Sequence, residues 1–263
     1  MILRSVMKHV HDQNWFAVFL DFVIVVVGVF IGIQVANWNE ARREDSAGRA
    51  YLDRIREDLA VDRSTLESRG QFWNVVRHYG EGALGYLEDG SLVEDSAWKT
   101  LLVLYHATQV WGFSLYEPTY REMISAGDLG LIPDPELRRA LGDYYGASFE
   151  QKSLVFQLIP PYRDTVRGMM PWDIQNYIWD RCFESWGLDQ YRLLDCDAPI
   201  SEERAQPLLE RFAERTEVVE QLRNWLRNLE LMQIWQVQLI EVSNNLDRRI
   251  ELSMDNIAGD TAG

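Results

Sequence analysis

The stretch from Phe16 to Ala36 reads FAVFLDFVIVVVGVFIGIQVA, and it decides the fold. Its 21 residues would form about 31 Å of helix, which matches the roughly 30 Å hydrocarbon layer of a bilayer. Trp15 and Trp38 flank the stretch, as aromatic rings do at a membrane interface. A cleaved signal peptide would have a shorter apolar region and small residues before its cleavage site. The sequence therefore predicts an uncleaved transmembrane helix, preceded by a short segment of residues 1–15.

Small residues and one acid share a face of this predicted helix. Gly28 and Gly32 have the GxxxG spacing, and Ala36 extends it by another four residues. Small side chains at this spacing let a second membrane helix approach closely, although glycine is common in membrane helices generally. Asp21 precedes Gly28 by seven residues and Gly32 by eleven, which are nearly whole helical turns. We expect this face to contact another helix.

Two roles for Asp21 remain open. It lies about 7–8 Å inside the apolar stretch, where its carboxylate can reach the headgroup region or hydrogen-bond a neighbouring helix. The alternative is a carboxylate that handles protons or cations in an oligomer or a heteromeric channel, because acids within membrane helices often mark ion pathways.

The charge balance argues against one class of partner. The chain has 41 acidic and 26 basic residues and a formal net charge of −15. A nucleic-acid-binding protein needs a basic surface, and here arginine is interleaved with acids, as in RIREDL from Arg54 to Leu59. We therefore expect no nucleic-acid partner. The expected partners are the membrane and either further copies of the chain or another membrane protein.

Two cysteines indicate on which side of the membrane the domain lies. Basic residues stand on both flanks of the apolar stretch, so the positive-inside rule does not decide the orientation. Cys182 and Cys196 are the only cysteines, and a disulfide between them would contribute about 3 kcal/mol to stability. Two unrelated free thiols are the alternative. Because disulfides persist in oxidising compartments, we expect a periplasmic domain and a cytoplasmic segment of residues 1–15.

Residues 37–254 are expected to form an all-α domain, a helical bundle into which the membrane helix continues. No proline interrupts residues 37–67, and a second helix is expected over residues 71–87. Further helices are expected over residues 96–110, from Asp134 to about Ile159, and over residues 161–169 and 171–180. No stretch shows the alternation of a strand. Residues 255–263 are expected to form a flexible tail.

The last predicted helix has the clearest pattern. Its apolar residues recur at alternating steps of three and four, as in helices that pack along another helix. They are Val218, Leu222, Trp225, Leu229, Met232, Leu239, Leu246 and Ile250. Gln236 and Ser243 occupy the two positions that the apolar pattern skips. We expect this helix to pack against the membrane-proximal helix and return toward the bilayer.

The end of the apolar stretch resembles an uncharacterised bacterial family of single-pass membrane proteins. Residues 28–40 read GVFIGIQVANWNE, and members of that family end their membrane helix with a sequence like GILIALQVNNWNE. Gly32 stands where the family usually has alanine, Ala36 where it has asparagine, and Asp21 where it usually has glutamate. Residues 124–145, ISAGDLGLIPDPELRRALGDYY, show a weaker likeness. The resemblance implies a single-pass membrane protein with a helical domain, and it implies no activity. We expect the anchor to lie in the bacterial inner membrane.

The sequence contains no motif that predicts catalysis, a cofactor or a metal. It lacks a Walker loop, a GxGxxG turn after a strand, an HExxH helix and a GxSxG elbow. The four histidines, His9, His11, His78 and His106, are not spaced as a metal site, apart from the flexible pair before the membrane. We therefore expect that the protein is not an enzyme.

An aromatic cluster lies near the cysteines. It comprises Trp172, Tyr177, Trp179, Trp186 and Tyr191. Packing beneath the cysteine loop is the expected role, because aromatic side chains contribute strongly to cores. A ligand pocket or a surface that faces a partner is the alternative.

These observations favour a membrane-anchored structural, accessory or scaffold subunit that assembles through its anchor. The first alternative is a single-pass subunit of an ion-conducting or force-transducing complex that uses Asp21. The chain is similar to the subunits of ion-driven motors in having an aspartate near the start of one N-terminal membrane helix. The second alternative is a periplasmic ligand sensor, whose signal would need a partner because residues 1–15 are so few.

Overall fold

A computed structural model describes residues 15–146, 154–185 and 191–260, with side chains from residue 19 to residue 255 except that of residue 21. Within these ranges the chain is all-α, as predicted, with eight α-helices and one small hairpin. The helices are α1 (Trp15–Asp89), α2 (Ala97–His106), α3 (Pro118–Ala126), α4 (Pro135–Tyr145), α5 (Pro161–Met169), α6 (Trp172–Arg181), α7 (Glu202–Ala213) and α8 (Thr216–Asp260). The strands β1 (Phe183–Ser185) and β2 (Tyr191–Leu193) pair antiparallel. Single 3-10 turns lie at Val93–Asp95, Asp128–Leu131 and Leu154–Gln157.

Helix α1 is continuous over 75 residues, a length of about 112 Å. It runs from the apolar stretch into the core of the domain, which confirms the predicted outward continuation. The predicted break between residues 67 and 71 is wrong. Gly70 lies there without ending the helix, and it gives α8 room, because a Cβ at this position would overlap the side-chain amide of Gln236. The helix ends at Asp89, before Gly90, whose φ of 80° is the left-handed conformation that favours glycine.

Helix α8 packs antiparallel along α1, as its apolar pattern predicts. The α1 side chains that face the core are fully buried, and so is the corresponding stripe of α8; among them are Leu52, Ile55, Leu59, Leu66, Val218, Leu222, Leu229 and Ile250. The two polar residues at the skipped positions bond to α1. Gln236 donates from Nε2 to the carbonyl of Leu66 at 3.0 Å, and the hydroxyl of Ser243 accepts from Arg63 at 3.1 Å. Asp247 also pairs with Arg63, at 3.4 Å.

Helix α2 is almost completely buried, and neighbouring helices satisfy both of its ends. The carboxylate of Glu202, on α7, accepts from the N–H of Ala97 at 2.7 Å. At the other end, Arg163 of α5 donates to the carbonyl of Thr108 at 2.8 Å, where a cation suits the unpaired carbonyls of a helix C-terminus. The helix ends at His106, four residues before the predicted boundary.

Other predicted boundaries are partly right. Helices α5 and α6 match their predicted ranges, and α4 begins after Asp134, whose carboxylate accepts from the N–H of Glu136 at 2.8 Å. However, α4 ends at Tyr145, well before Ile159, because the backbone of Gly146 is extended. The hairpin was not expected, since strands of three residues are too short to show alternation. Helix α8 continues to Asp260, so the predicted tail of residues 255–263 begins as helix.

Glycine-to-alanine substitutions at two positions of α1 should have opposite effects on stability. At Gly48 a Cβ would overlap the backbone carbonyl of Leu131, so Gly48→Ala should lower the free energy of unfolding by about 1–3 kcal/mol. At Gly85 no atom lies within 4 Å of the Cβ position, so Gly85→Ala should raise it by about 0.5–1 kcal/mol through helix propensity. Chemical denaturation followed by circular dichroism measures both. A stabilising Gly48→Ala would contradict the packing of α1 against the 3-10 turn at Asp128–Leu131.

Candidate functional site

The apolar stretch of α1 is exposed in the isolated chain. It is long and apolar enough to cross a membrane, and none of it is buried against the rest of the described chain. Apart from the half-buried Val23, its described large side chains are about half exposed or more, from Phe19 at 63% to Val35 at 50%. At Gly28 and Gly32 no atom lies within 4 Å of the position that a Cβ would occupy. The face that these glycines share is therefore open to a second helix.

Asp21 and Ala36 lie on the same uninterrupted helix as the two glycines. Because α1 is helical from Trp15 onward, the spacings of seven and eleven residues keep the Cα of Asp21 on the glycine face. Ala36 is exposed. The side chain of Asp21 lies outside the described residues, so both of its expected roles stay predictions.

Residues 37–44, here called the stalk, separate the apolar stretch from the bundle. All of them are exposed, and Gly48 is the first buried residue among those of α1 whose burial is described. The stalk is about 12 Å long. At its start, the ring of Trp38 lies 4.8 Å from the guanidinium carbon of Arg42, a combination suited to a membrane interface. The folded domain therefore gives the apolar stretch no cover.

Helix α8 carries a second apolar stripe, on its outer side. Leu231, Ile234, Val242 and Leu252 are between 40% and 64% exposed, and they lie within about a quarter turn of one another around the helix. Sequence periodicity does not single this stripe out, because the stronger inner stripe dominates the same segment. Exposed apolar surface of this kind often marks contact with another protein.

The two cysteines form the predicted disulfide. Cys182 follows α6 and Cys196 follows β2, with their Cα atoms 5.3 Å apart. Trp98 of α2 donates from Nε1 to the carbonyl of Cys196 at 3.1 Å, and His106 Nε2 lies 3.1 Å from the carbonyl of Leu194. Residues 194–196, at the end of the disulfide loop, are thereby fixed against α2.

The aromatic residues around the disulfide are divided between packing and surface. The rings of Tyr177 and Tyr191 lie edge-on against neighbouring tryptophans, at centroid distances of 6.1 and 4.7 Å. Trp172 is 75% exposed and Trp179 is 42% exposed. Trp186 lies outside the described residues. The expected packing is confirmed for the tyrosines and is wrong for Trp172.

Two buried carboxylates on α1 hold the segment that leads into α3, and the sequence patterns do not single them out. Asp58 and Asp62 are 6% and 1% exposed. Asp62 accepts from the N–H of Tyr116 at 2.7 Å, and Asp58 accepts from the N–H of Thr119 at 3.1 Å. Tyr144 of α4 donates its hydroxyl to Asp62 at 3.1 Å. These two residues therefore connect two other segments of the bundle to α1.

Burial raises the pKa of Asp62 from the ordinary value of 3.8 to about 7. The hydrogen bonds from Tyr116 and Tyr144 oppose this shift, and the charge of Asp58 adds to it. Between these pH values the folded chain binds a proton that the unfolded chain releases. The stabilisation that this proton uptake provides is therefore present at low pH and lost as the pH rises through about 7.

The histidines hold no metal site within the described residues. No group of three His, Cys, Asp or Glu side chains there is placed to bind a metal. His106 is fully buried, and burial lowers its pKa to about 4. Its Nε2 must carry the proton, because the carbonyl of Leu194 can only accept. His78 is exposed, and His9 and His11 lie outside the described residues.

Comparisons with protein-family models, with curated proteins and with solved structures find no match to this chain. The resemblance of residues 28–40 to a bacterial family therefore stays a prediction.

Asp62→Asn should stabilise the protein, and the gain should be larger at pH 8 than at pH 5. The amide mimics the protonated acid, so the variant avoids burying a charge above pH 7. At each pH the gain is the free energy of unfolding of the variant minus that of the wild type. We expect this gain to be larger at pH 8 than at pH 5 by on the order of 2 kcal/mol. Chemical denaturation of both proteins at the two pH values gives this difference. Asp143→Asn, at an exposed carboxylate, is the control and should show no pH-dependent gain. An Asp62→Asn protein less stable than wild type at pH 8 would overturn the assignment.

Proposed function

We propose that this chain is a membrane-anchored helical subunit that joins a membrane complex, with further copies of itself or with another membrane protein, and is not an enzyme. The observation that carries the proposal is the open face of α1. It presents Gly28 and Gly32 on a helix long enough to cross a bilayer, and the domain leaves that face uncovered. Such a face stabilises helix pairs through close backbone contact.

The continuity of α1 supports a structural or accessory role. The helix that carries the glycine face continues through the stalk into the bundle, where other helices pack against it. A contact made within the membrane therefore sets the position and orientation of the whole domain. The outer stripe of α8, from Leu231 to Leu252, offers the same complex a second contact surface.

The alternative is a subunit of an ion-conducting or force-transducing complex in which Asp21 titrates. A partner that packs on the glycine face would also shield this carboxylate from lipid. A single helix of 75 residues would transmit force to the bundle. Assembly requires only the glycine face, whereas ion handling requires the acid as well, so mutation separates the two proposals.

We propose that the bundle lies in the periplasm of a bacterial cell, with the anchor in the inner membrane and residues 1–15 in the cytoplasm. The disulfide between Cys182 and Cys196 supports this orientation, because reducing compartments do not maintain such bonds. The acidic surface is consistent with a domain that stands away from anionic headgroups.

The cysteines should resist alkylation in protein taken directly from cells. Acid-quenched samples are treated with a large maleimide reagent, with and without prior reduction, and compared by gel mobility. We expect two labels per chain only after reduction. A Ser125→Cys variant, at an exposed position, is the control and should accept one label without reduction. Labelling of both native cysteines before reduction would contradict the periplasmic orientation.

Bulky residues on the glycine face should disrupt assembly. The full chain is extracted in a mild detergent, and its native mass and co-purifying proteins are determined. Gly28→Leu combined with Gly32→Leu should reduce the complex to single chains of 30.7 kDa. Val26→Leu combined with Phe30→Leu has the same spacing on the opposite face and should leave the complex intact. If the glycine variant keeps the wild-type mass, this face is not the contact.

Asp21→Asn completes the same experiment. If the Asp21→Asn protein still forms the complex, but cells that carry it behave like cells that lack the protein, the ion-handling alternative gains support. If the complex itself dissociates, Asp21 is a hydrogen-bonding group between helices and the ion-handling alternative is rejected.

A further inference from the structure

A cleft of about 600 Å³ lies between α1, the 3-10 turn at Val93–Asp95 and α2. Small-molecule sites in proteins commonly enclose roughly 300–1,000 Å³. Most of its lining is apolar, and its long wall is part of α1, the helix that continues to the anchor. A ligand bound here would therefore contact the anchor helix directly.

The apolar wall of the cleft consists of Val75, Tyr79, Val93, Leu102 and Val103. Val75 is 40% exposed, a large fraction for a valine within a bundle. The ring of Tyr79 is held by the buried imidazole of His106, at a centroid distance of 4.9 Å. Gly82 contributes no side chain to the cleft. A Cβ there would make ordinary contact with methyl carbons of Val93 and Val103, at 3.4 and 3.9 Å, so a larger side chain would occupy the space between them.

The rim of the cleft is acidic. Glu81, Glu94 and Asp195 line it together with two basic residues, Lys99 and His78. Lys99 pairs with Asp195, and Glu81 pairs with an arginine outside the cleft at 3.2 Å. Glu94 is exposed and forms no ion pair with the described residues. An uncompensated carboxylate therefore stands beside an apolar wall.

We propose that this cleft binds a small organic ammonium ion with an apolar or aromatic body. The body would lie against the valine and tyrosine wall, and the ammonium group would pair with Glu94 and contact the face of Tyr79. An anionic ligand would meet three carboxylates in a chain whose net charge is −15. A neutral ligand would gain only the apolar contact. The inference is independent of the anchoring proposal, and it gives the ligand-sensor alternative a specific site.

Calorimetry with a matched pair of probes tests the charge requirement. The full chain is placed in phosphatidylcholine nanodiscs and titrated with 2-phenylethylammonium or with 2-phenylethanol, which has the same ring and chain length without the charge. Titrations of empty nanodiscs correct for partitioning into lipid. We expect the ammonium ion to bind about tenfold more tightly than the alcohol, and the difference to shrink at high salt because exposed charges are screened.

Variants locate the site. Glu94→Gln should weaken binding of the ammonium ion about three- to tenfold, and Gly82→Leu should abolish it by filling the cleft. Glu136→Gln is the matched control at an exposed glutamate on α4 that pairs with Arg139 at 2.8 Å, and it should leave affinity unchanged. Circular dichroism shows whether each variant is folded. If Gly82→Leu does not fold, Glu94→Gln alone tests the site. Equal affinity for the two probes, equal effects of Glu94→Gln and Glu136→Gln, or no binding at millimolar ligand would overturn the proposal.

Discussion

The unbroken backbone hydrogen-bond ladder of α1 is the constraint on which the other features depend. In a bilayer a spanning segment must satisfy every backbone group internally, and a helix does so. The same helix carries two side-chain patterns. Residues 16–36 are apolar except for Asp21 and Gln34, whereas from Leu52 onward one broad face is buried, mainly against α8 and α2. The stalk lies between these two parts of the helix, and all of its residues are exposed.

Acidic side chains connect the remaining segments to this helix. Asp58 of α1 accepts the N–H of Thr119 in the first turn of α3, Asp62 accepts the N–H of Tyr116 just before that helix, and Glu202 of α7 accepts the N–H at the start of α2. Each carboxylate satisfies backbone donors that an isolated helix N-terminus would leave unpaired. Some of the acidic residues therefore hold segments of the bundle together, and not all of them are solvated surface residues. The same arrangement makes Asp62 sensitive to pH, because its burial disfavours the charged form.

The sequence predicts the long elements well, because helical periodicity and proline positions are local signals. It identifies α8, α5 and α6, the continuation of α1 beyond the membrane, and the cysteine pair. It fails where tertiary contacts decide. Gly70 looks like a helix end but is a close-packing position opposite Gln236, and Asp62 occupies a stripe position between Leu59 and Leu66 that periodicity expects to be apolar. The glycine face could be predicted from spacing alone, whereas the outer stripe of α8 and the acidic cleft required knowledge of which surfaces remain uncovered.

The most direct test of this account is a distance measurement across the stalk. Spin labels at Asn39→Cys and Ser64→Cys, both exposed positions on α1, are 25 residues apart, and the native cysteines are occupied by their disulfide. For the full chain in nanodiscs, a continuous helix predicts a single narrow distance distribution centred near about 38 Å in double electron–electron resonance. A broad or clearly shorter distribution would show a break at the stalk, and the anchor and bundle would then be independent bodies.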